Sequence, residues 1–192
     1  MTPPRVPDGA LDAGLALAAA LEEAGVSYAL GGALALGVWG VPRGTVDVDV
    51  NAFVAVGDVA AVVAVLRTLG IEVDLEAARR TSERQGQFVA TWAGMRVDVF
   101  TASIGFSWEA ERTRVRDAVE GREAWFLSAE SLAVFKLLFF RSKDIADLER
   151  LVAVRGTRLD AAYVRRHLVD MMGEDDPRVA RWDQIVAQHG GS

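Results

Sequence analysis

The chain has 192 residues, 51% of them hydrophobic and 25% charged, with a net charge of −6, the balance of one globular unit or of one unit with a small appendage. It has no cysteine, which excludes disulfides and thiolate metal sites, and its two histidines argue against a multi-histidine zinc centre. Any metal must then be held mostly by oxygen, which favours Mg²⁺ or Mn²⁺.

Along the chain, Leu11, Leu15, Ala18 and Leu21 set a helical period over residues 10–24, closed by Gly25. The flanking charges Asp8, Asp12, Glu22 and Glu23, against Arg5 as the one basic residue, are not those of a secretory leader. Residues 26–30 read as a short buried strand, and Gly31-Gly32 as a glycine turn opening a short helix. The longest charge-free run, Val26 to Pro42, is too short for a membrane span, so a cytoplasmic protein without a membrane partner is expected. Residues 45–54 alternate like a strand. Asp58 caps a helix that Gly70 ends, 71–75 read as another strand, and 76–86 as a polar connection, part helix or loop. Residues 87–92 and 95–102 form a hairpin turning at Ala93-Gly94. Residues 112–117 and 122–127 form a weaker one at Glu120-Gly121. Ser128 caps the next helix, and helices at about 142–154, 160–172 and 177–188 complete the chain. The order predicts an α+β fold, with an α+β part over 1–127 and a helical C-terminal region, 128–192, packed on it.

The unusual stretch is TVDVDV, residues 45–50. Asp47 and Asp49 fall on the same face of a valine strand, their Cα atoms about 7 Å apart, although aspartate is a poor strand former. A bare D-x-D can be a solvated edge that blocks aggregation. Here, however, Gly31-Gly32 precedes it by 15 residues, at a turn where backbone N–H groups can approach a phosphate. Arg43 and Thr45 can reach a phosphate from the same loop. Asp98, in the hairpin strand MRVDVF, supplies a third carboxylate if that strand pairs beside the first. Three such carboxylates can hold paired divalent ions for an in-line displacement at phosphorus.

Nineteen of the 21 basic residues are arginine, and the two lysines, Lys136 and Lys143, fall in one segment. Lys136 lies within the apolar run Leu132, Phe135, Leu138 and Phe139. It reads either as a snorkelling side chain or as a point charge for phosphate. Asp144 and Asp147 share a helix face near its first turn, as helix-start charges or as part of a site. Arg112, Arg114, Arg116 and Arg122 form a candidate basic cluster. His167, beside Arg165 and Arg166, reads as part of a solvated basic face.

The stretch LGGALALGVWGVPRGTVDVDV resembles the nucleotidyltransferase signature, a hydrophobic residue and a glycine pair followed by D-x-D. The resemblance implies a polymerase-β-like palm, a mixed sheet with flanking helices. It also implies Asp47, Asp49 and Asp98 as catalytic metal ligands and Gly31-Gly32 facing a triphosphate. Gly32 stands where other members have serine. The downstream S-x-x-x-x-K and R-x-K-D-x-x-D-L, from Ser131 to Leu148, resemble the AbiEii-type nucleotidyltransferase toxins. That resemblance implies that Lys136 contacts the nucleotide's phosphates and that Asp144 or Asp147 completes the site. The expected activity is Mg²⁺- or Mn²⁺-dependent transfer of NMP from an NTP to an acceptor hydroxyl, with release of pyrophosphate. The resemblance implies RNA or tRNA as acceptor and a cognate antitoxin as the partner to look for. Two alternatives stand beside it: a small-molecule, antibiotic-type nucleotidyltransferase, and a non-catalytic relative that binds nucleotide or a partner.

Overall fold

The computed structural model describes residues 6–190; Arg5, read above as the basic flank of the N-terminus, lies outside them. Helix α1 (Ala10–Glu23) buries Ala13, Leu17 and Leu21. It stops before Gly25, whose φ of +68° a side chain would resist. Strand β1 (Tyr28–Leu30) is buried throughout and leads through Gly31 into the short helix α2 (Gly32–Val38). Strand β2 (Asp47–Ala55) carries the D-x-D at its start.

Helix α3 (Ala60–Thr68) begins at Val59 with no side-chain cap, so Asp58 does not serve as the cap expected of it. Residues 71–74 form no strand. Asp74 instead accepts the Ala77 N–H at 2.6 Å and caps helix α4 (Leu75–Gln85). A four-residue alternation is weak, and a good N-cap ahead of Glu-Ala-Ala-Arg-Arg outweighs it. The "polar connection" is therefore helical, and Gly86 closes it at φ +70°.

The hairpin β3 (Gln87–Trp92) and β4 (Met95–Ala102) turns as expected, with Ala93 and Gly94 at φ 49° and 83°. Helix α5 (Gly105–Thr113) follows, where the sequence had suggested no helix. It has no side-chain cap, and its buried Phe106 and Ala110, four apart, hold it against the core. The second hairpin, β5 (Val115–Val119) and β6 (Arg122–Phe126), turns at Glu120-Gly121. Four further α-helices, with one 3₁₀ turn (Gly156–Arg158) after the second, complete the described chain: α6 (Ala129–Phe139), α7 (Ser142–Arg155), α8 (Ala161–Met172) and α9 (Pro177–His189). Ser128 caps α6 by accepting the Ser131 N–H at 3.0 Å.

The strands form one mixed six-stranded sheet in the order β3-β4-β2-β1-β6-β5. The β2–β4 and β1–β6 pairs are parallel and the others antiparallel. Helix α6 packs on α2, and α7, α8 and α9 gather around α6. One contiguous buried cluster runs from Leu17 of α1 through Val50 and Val99 in the sheet to Leu137, Leu148 and Ile185 of the C-terminal helices. The fold class is α+β, as expected. Among the described residues, no helix is long and apolar enough to cross a membrane.

Candidate active site

Parallel pairing of β2 with β4 sets Asp47 opposite Arg96 and Asp49 opposite Asp98. The three aspartates therefore share one region of one sheet face, with Asp49 and Asp98 one strand spacing apart, about 4.8 Å. All line a cavity of about 600 Å³ between the sheet and α6. Burial, and next the charge of Asp98, push the Asp49 carboxyl above its ordinary value. Asp98 is already engaged: Arg96 donates to both of its oxygens, Nε and Nη2 each at 2.7 Å. Among the described residues no three carboxylate or histidine side chains close on one point. The donor set nevertheless fits a hard divalent cation. It consists of carboxylate oxygens from adjacent strands, one of them crowded by negative charge, with a guanidinium supplying the local countercharge.

Gly31 and Gly32 serve different ends. The Gly31 N–H donates to the Asp49 carbonyl at 2.9 Å, joining the turn to the sheet, and Gly31 does not line the cavity. Gly32 does line it, at φ +52°, and a Cβ there would fall inside the Asp49 carboxylate. The glycine pair thus makes room for the aspartate. Thr45 also lines the cavity, and its hydroxyl accepts the Asp47 N–H at 3.2 Å, fixing the start of β2.

Lys136 projects from α6 and is only 5% exposed, so it is no snorkelling side chain. Its ammonium donates to Asp147 at 2.7 Å and to Asp144 at 3.4 Å, leaving one of three N–H donors for the cavity that it lines. Asp147 lies behind Lys136, off the cavity wall, and also contacts Arg43 Nε at 3.2 Å as an ion pair without hydrogen-bond alignment. Asp144 is on the wall and accepts from Arg141 Nε at 2.6 Å. Burial alone would raise the Asp144 carboxyl, but Arg141 and Lys136 hold it below the ordinary value. Both aspartates therefore aim cations, Lys136, Arg43 and Arg141, toward the site.

Arg96 and Arg141 escaped the sequence reading as site residues. The signal for Arg96 was present, since it lies two residues before Asp98 on the same strand face. The basic cluster read from sequence is not a groove. Arg112 pairs with Glu109, Arg114 with Glu111, Arg116 with Glu123, and Arg122 with Asp12. Nor does His167 belong to a solvated face. Its ring packs on Tyr163 and Phe106, at centroid distances of 4.3 and 4.9 Å.

No protein-family model matches this chain, and no curated protein matches it in sequence. Solved structures do resemble it. The solution structure of the antibiotic-resistance factor ANT(2'')-Ia superposes with a TM-score of 0.58 at 18% identity, over 90% of this chain and 94% of that one. The crystal structure of ANT(2'')-Ia in complex with adenylyl-2''-tobramycin gives 0.55 at 17% identity, over 88% and 93%. An antigenic nucleotidyltransferase-like protein from Paracoccidioides brasiliensis gives 0.50 at 17% identity, over 94% of each chain. At such identities the likeness is one of fold, and the fold of this chain is that of the nucleotidyltransferases.

Proposed function

We propose that the protein is a Mg²⁺- or Mn²⁺-dependent nucleotidyltransferase that moves NMP from an NTP to an acceptor hydroxyl of RNA. The AbiEii-type resemblance points to tRNA as that RNA and to a toxin's role beside a cognate antitoxin. The observation that carries the activity is the register of Asp49 with Asp98, with Asp47 on the same strand face and a side-chain-free Gly32 over Asp49.

In this reading residues 1–127 supply the carboxylates and residues 128–192 supply Lys136, Arg141 and Lys143. Asp47, Asp49 and Asp98 would hold the divalent cation, which when bound neutralises triphosphate charge and readies the acceptor hydroxyl. Lys136, held by Asp144 and Asp147, keeps one N–H for a phosphate oxygen, and Arg43 stands beside it on the same Asp147 carboxylate. The acceptor oxygen bonds to the α-phosphorus, the bond to the β-phosphate breaks, and pyrophosphate leaves. Asp98, once released by Arg96, is a carboxylate placed to take the hydroxyl proton. Positioning and charge stabilisation supply the acceleration.

The rim of the cavity favours an anionic acceptor. Arg96 and Arg141 are exposed there, with side chains 53% and 54% accessible, and exposed Lys143 joins them, while the carboxylates lie recessed. In a chain of net charge −6, Lys143 and the exposed N–H groups of these two carboxylate-paired guanidiniums thus set cationic donors where an acceptor must enter. That suits a phosphate backbone and repels a cationic drug. The decisive experiment incubates the protein with each α-labelled NTP, Mg²⁺ and total bacterial RNA, beside Asp49→Ala. Label in RNA, lost in the variant and falling as salt rises, is the expected result. Mg²⁺-dependent NTP binding without labelled RNA would redirect the reading to a small acceptor. No binding at all would remove the activity.

A further inference from the structure

Helix α7 starts at the rim of the cavity and leads away from it. Lys143, in its first turn, lines the cavity, and Asp147, Arg150 and Val154 follow on the same flank at helical spacing. The loop before β2 lies along this flank. Its Arg43 meets Asp147 at 3.2 Å, and a Cβ on its Gly40 would stand 3.0 Å from Val154 Cγ1. Asp147 and Val154 are separated by about 10 Å of helix, so the loop follows the flank for about two turns. At the far end the Arg155 guanidinium lies 5.2 Å from the centroid of Trp39, whose indole N–H donates to the Leu127 carbonyl at 2.9 Å. Arg158, in the 3₁₀ turn, donates to the carbonyls of Val154 and Arg155 at 2.9 and 3.4 Å.

The positive charge of this flank is uncompensated. Most of the described arginines stand in ion pairs, but among the described residues Lys143, Arg150, Arg155 and Arg158 have no carboxylate partner. The Nε of Arg155 is buried without a hydrogen bond, so the ring of Trp39 is what holds that guanidinium. A merely solvated helix face carries charges of both signs. Here each acid of α7 is already taken: Asp144 by Arg141 and Lys136, Asp147 by Lys136 and Arg43, and Glu149 by Arg181. Lys143, Arg150 and Arg158 are meanwhile exposed.

We propose that this flank of α7, from Lys143 through Arg150 to Arg155 and Arg158, carries the sugar–phosphate backbone of the RNA acceptor away from the site. Lys143 and Arg150 are about 10 Å apart along the helix, the reach of roughly three nucleotides at 3.4 Å of rise each. Guanidiniums grip phosphate oxygens through paired N–H groups, and none of these three has a carboxylate to release first. The contacts are with backbone, so the flank positions an acceptor without reading its sequence. The proposal rests on the RNA-acceptor reading of the cavity.

The test is fluorescence anisotropy of a 5′-labelled single-stranded RNA with a free 3′ hydroxyl, titrated over a range of salt, beside calorimetry of Mg²⁺–NTP binding. Arg150→Gln removes an exposed side chain that makes no contact, and should lower the slope of log affinity against log salt by about 0.7. Arg150→Gln with Arg158→Gln should lower it by about 1.4 and weaken RNA binding roughly ten- to thirtyfold at about 0.1 M salt. The NTP affinity of both variants should equal that of the wild type. Arg150→Lys with Arg158→Lys should keep the slope. Arg80→Gln with Arg84→Gln, which removes the same charge from exposed, unpaired arginines of α4, should leave it unchanged. Equal losses in the α4 and α7 variants would reduce the effect to net charge and overturn the proposal, as would an unchanged slope in the α7 variants. Either result leaves the RNA reading standing. Poly-L-glutamate that displaces the RNA at equal charge would assign the flank to an acidic polypeptide and overturn the proposal as well. If the wild type binds NTP but no RNA, the RNA reading falls and takes the proposal with it. If it binds neither, the nucleotidyltransferase reading falls too.

Discussion

Arg96 faces Asp47 and grips Asp98 from two residues away, so its guanidinium meets the needs of the carboxylates from within the chain. Contact with Asp98 is the largest of several causes that raise its own pKa, the charges of Asp47 and Asp49 among them. A divalent cation at this site must displace that contact. Because the Arg96 side chain is half exposed, the pair is screened and the competition is modest. Arg96→Gln should therefore tighten Mn²⁺ binding to the nucleotide-free protein by roughly three- to tenfold, the equivalent of about 1 kcal/mol. A Mn²⁺ titration followed by electron paramagnetic resonance measures this; unchanged or weaker binding would show that Arg96 does not compete. At the same scale, sequence alone revealed Asp47 and Asp49, because alternation places i and i+2 on one face. It did not reveal how Gly32 acts: the need for a missing Cβ arises only once the turn folds over Asp49.

Among the elements, α6 and α7 are joined by charge as well as by apolar packing. Lys136 and Asp147 are 6% and 4% exposed at their side chains, and Arg43 reaches the same carboxylate from the loop before β2. Removing Asp147 leaves the buried Lys136 with only the longer contact to Asp144, at 3.4 Å, so the loss approaches the roughly 3–5 kcal/mol of a broken buried pair. Asp147→Ala should lower the melting temperature by on the order of 10 °C. Lys136→Met in the same chain should recover most of the loss, and thermal denaturation of the two variants checks both statements. A double variant no more stable than Asp147→Ala would mean that the pair is not what links the helices. The D-x-x-D spacing showed that Asp144 and Asp147 share a face, while the partners of that face come from a different helix and loop. The sequence reading assigned these aspartates to a nucleotide site; the contacts that the fold gives them are with Lys136, Arg141 and Arg43.

For the whole molecule, α8 meets α5 through a ring cluster of His167, Phe106 and Tyr163. Burial first, then the nearby Arg166, holds the His167 imidazole below its ordinary value, and Asp170 opposes the shift only in part. The folded protein therefore binds this proton less readily than the unfolded chain. Between the unfolded value of about 6.5 and the lower folded value, the unfolded state holds more protons, and stability falls as pH falls. Below the folded value the loss is complete and levels off. Urea denaturation should show a lower midpoint at pH 5.5 than at pH 7, with that difference largely abolished in His167→Phe. A pH difference that persists in the variant would assign it to other groups.

The sequence by itself determined the helices with strong periods or caps, the two hairpin turns and the D-x-D face, because each depends on residues a few positions apart. It could not determine that 71–74 would stay out of the sheet, nor that Phe106 and Ala110 would hold an uncapped α5, since both depend on what the rest of the chain packs against them. The site shows the same division. Its carboxylates are local in sequence or one strand away. Its cavity exists only because β4 adds in parallel beside β2 and α6 folds back over them. Long-range pairing decided those, because register between distant strands is set by the burial of both faces and not by either strand alone.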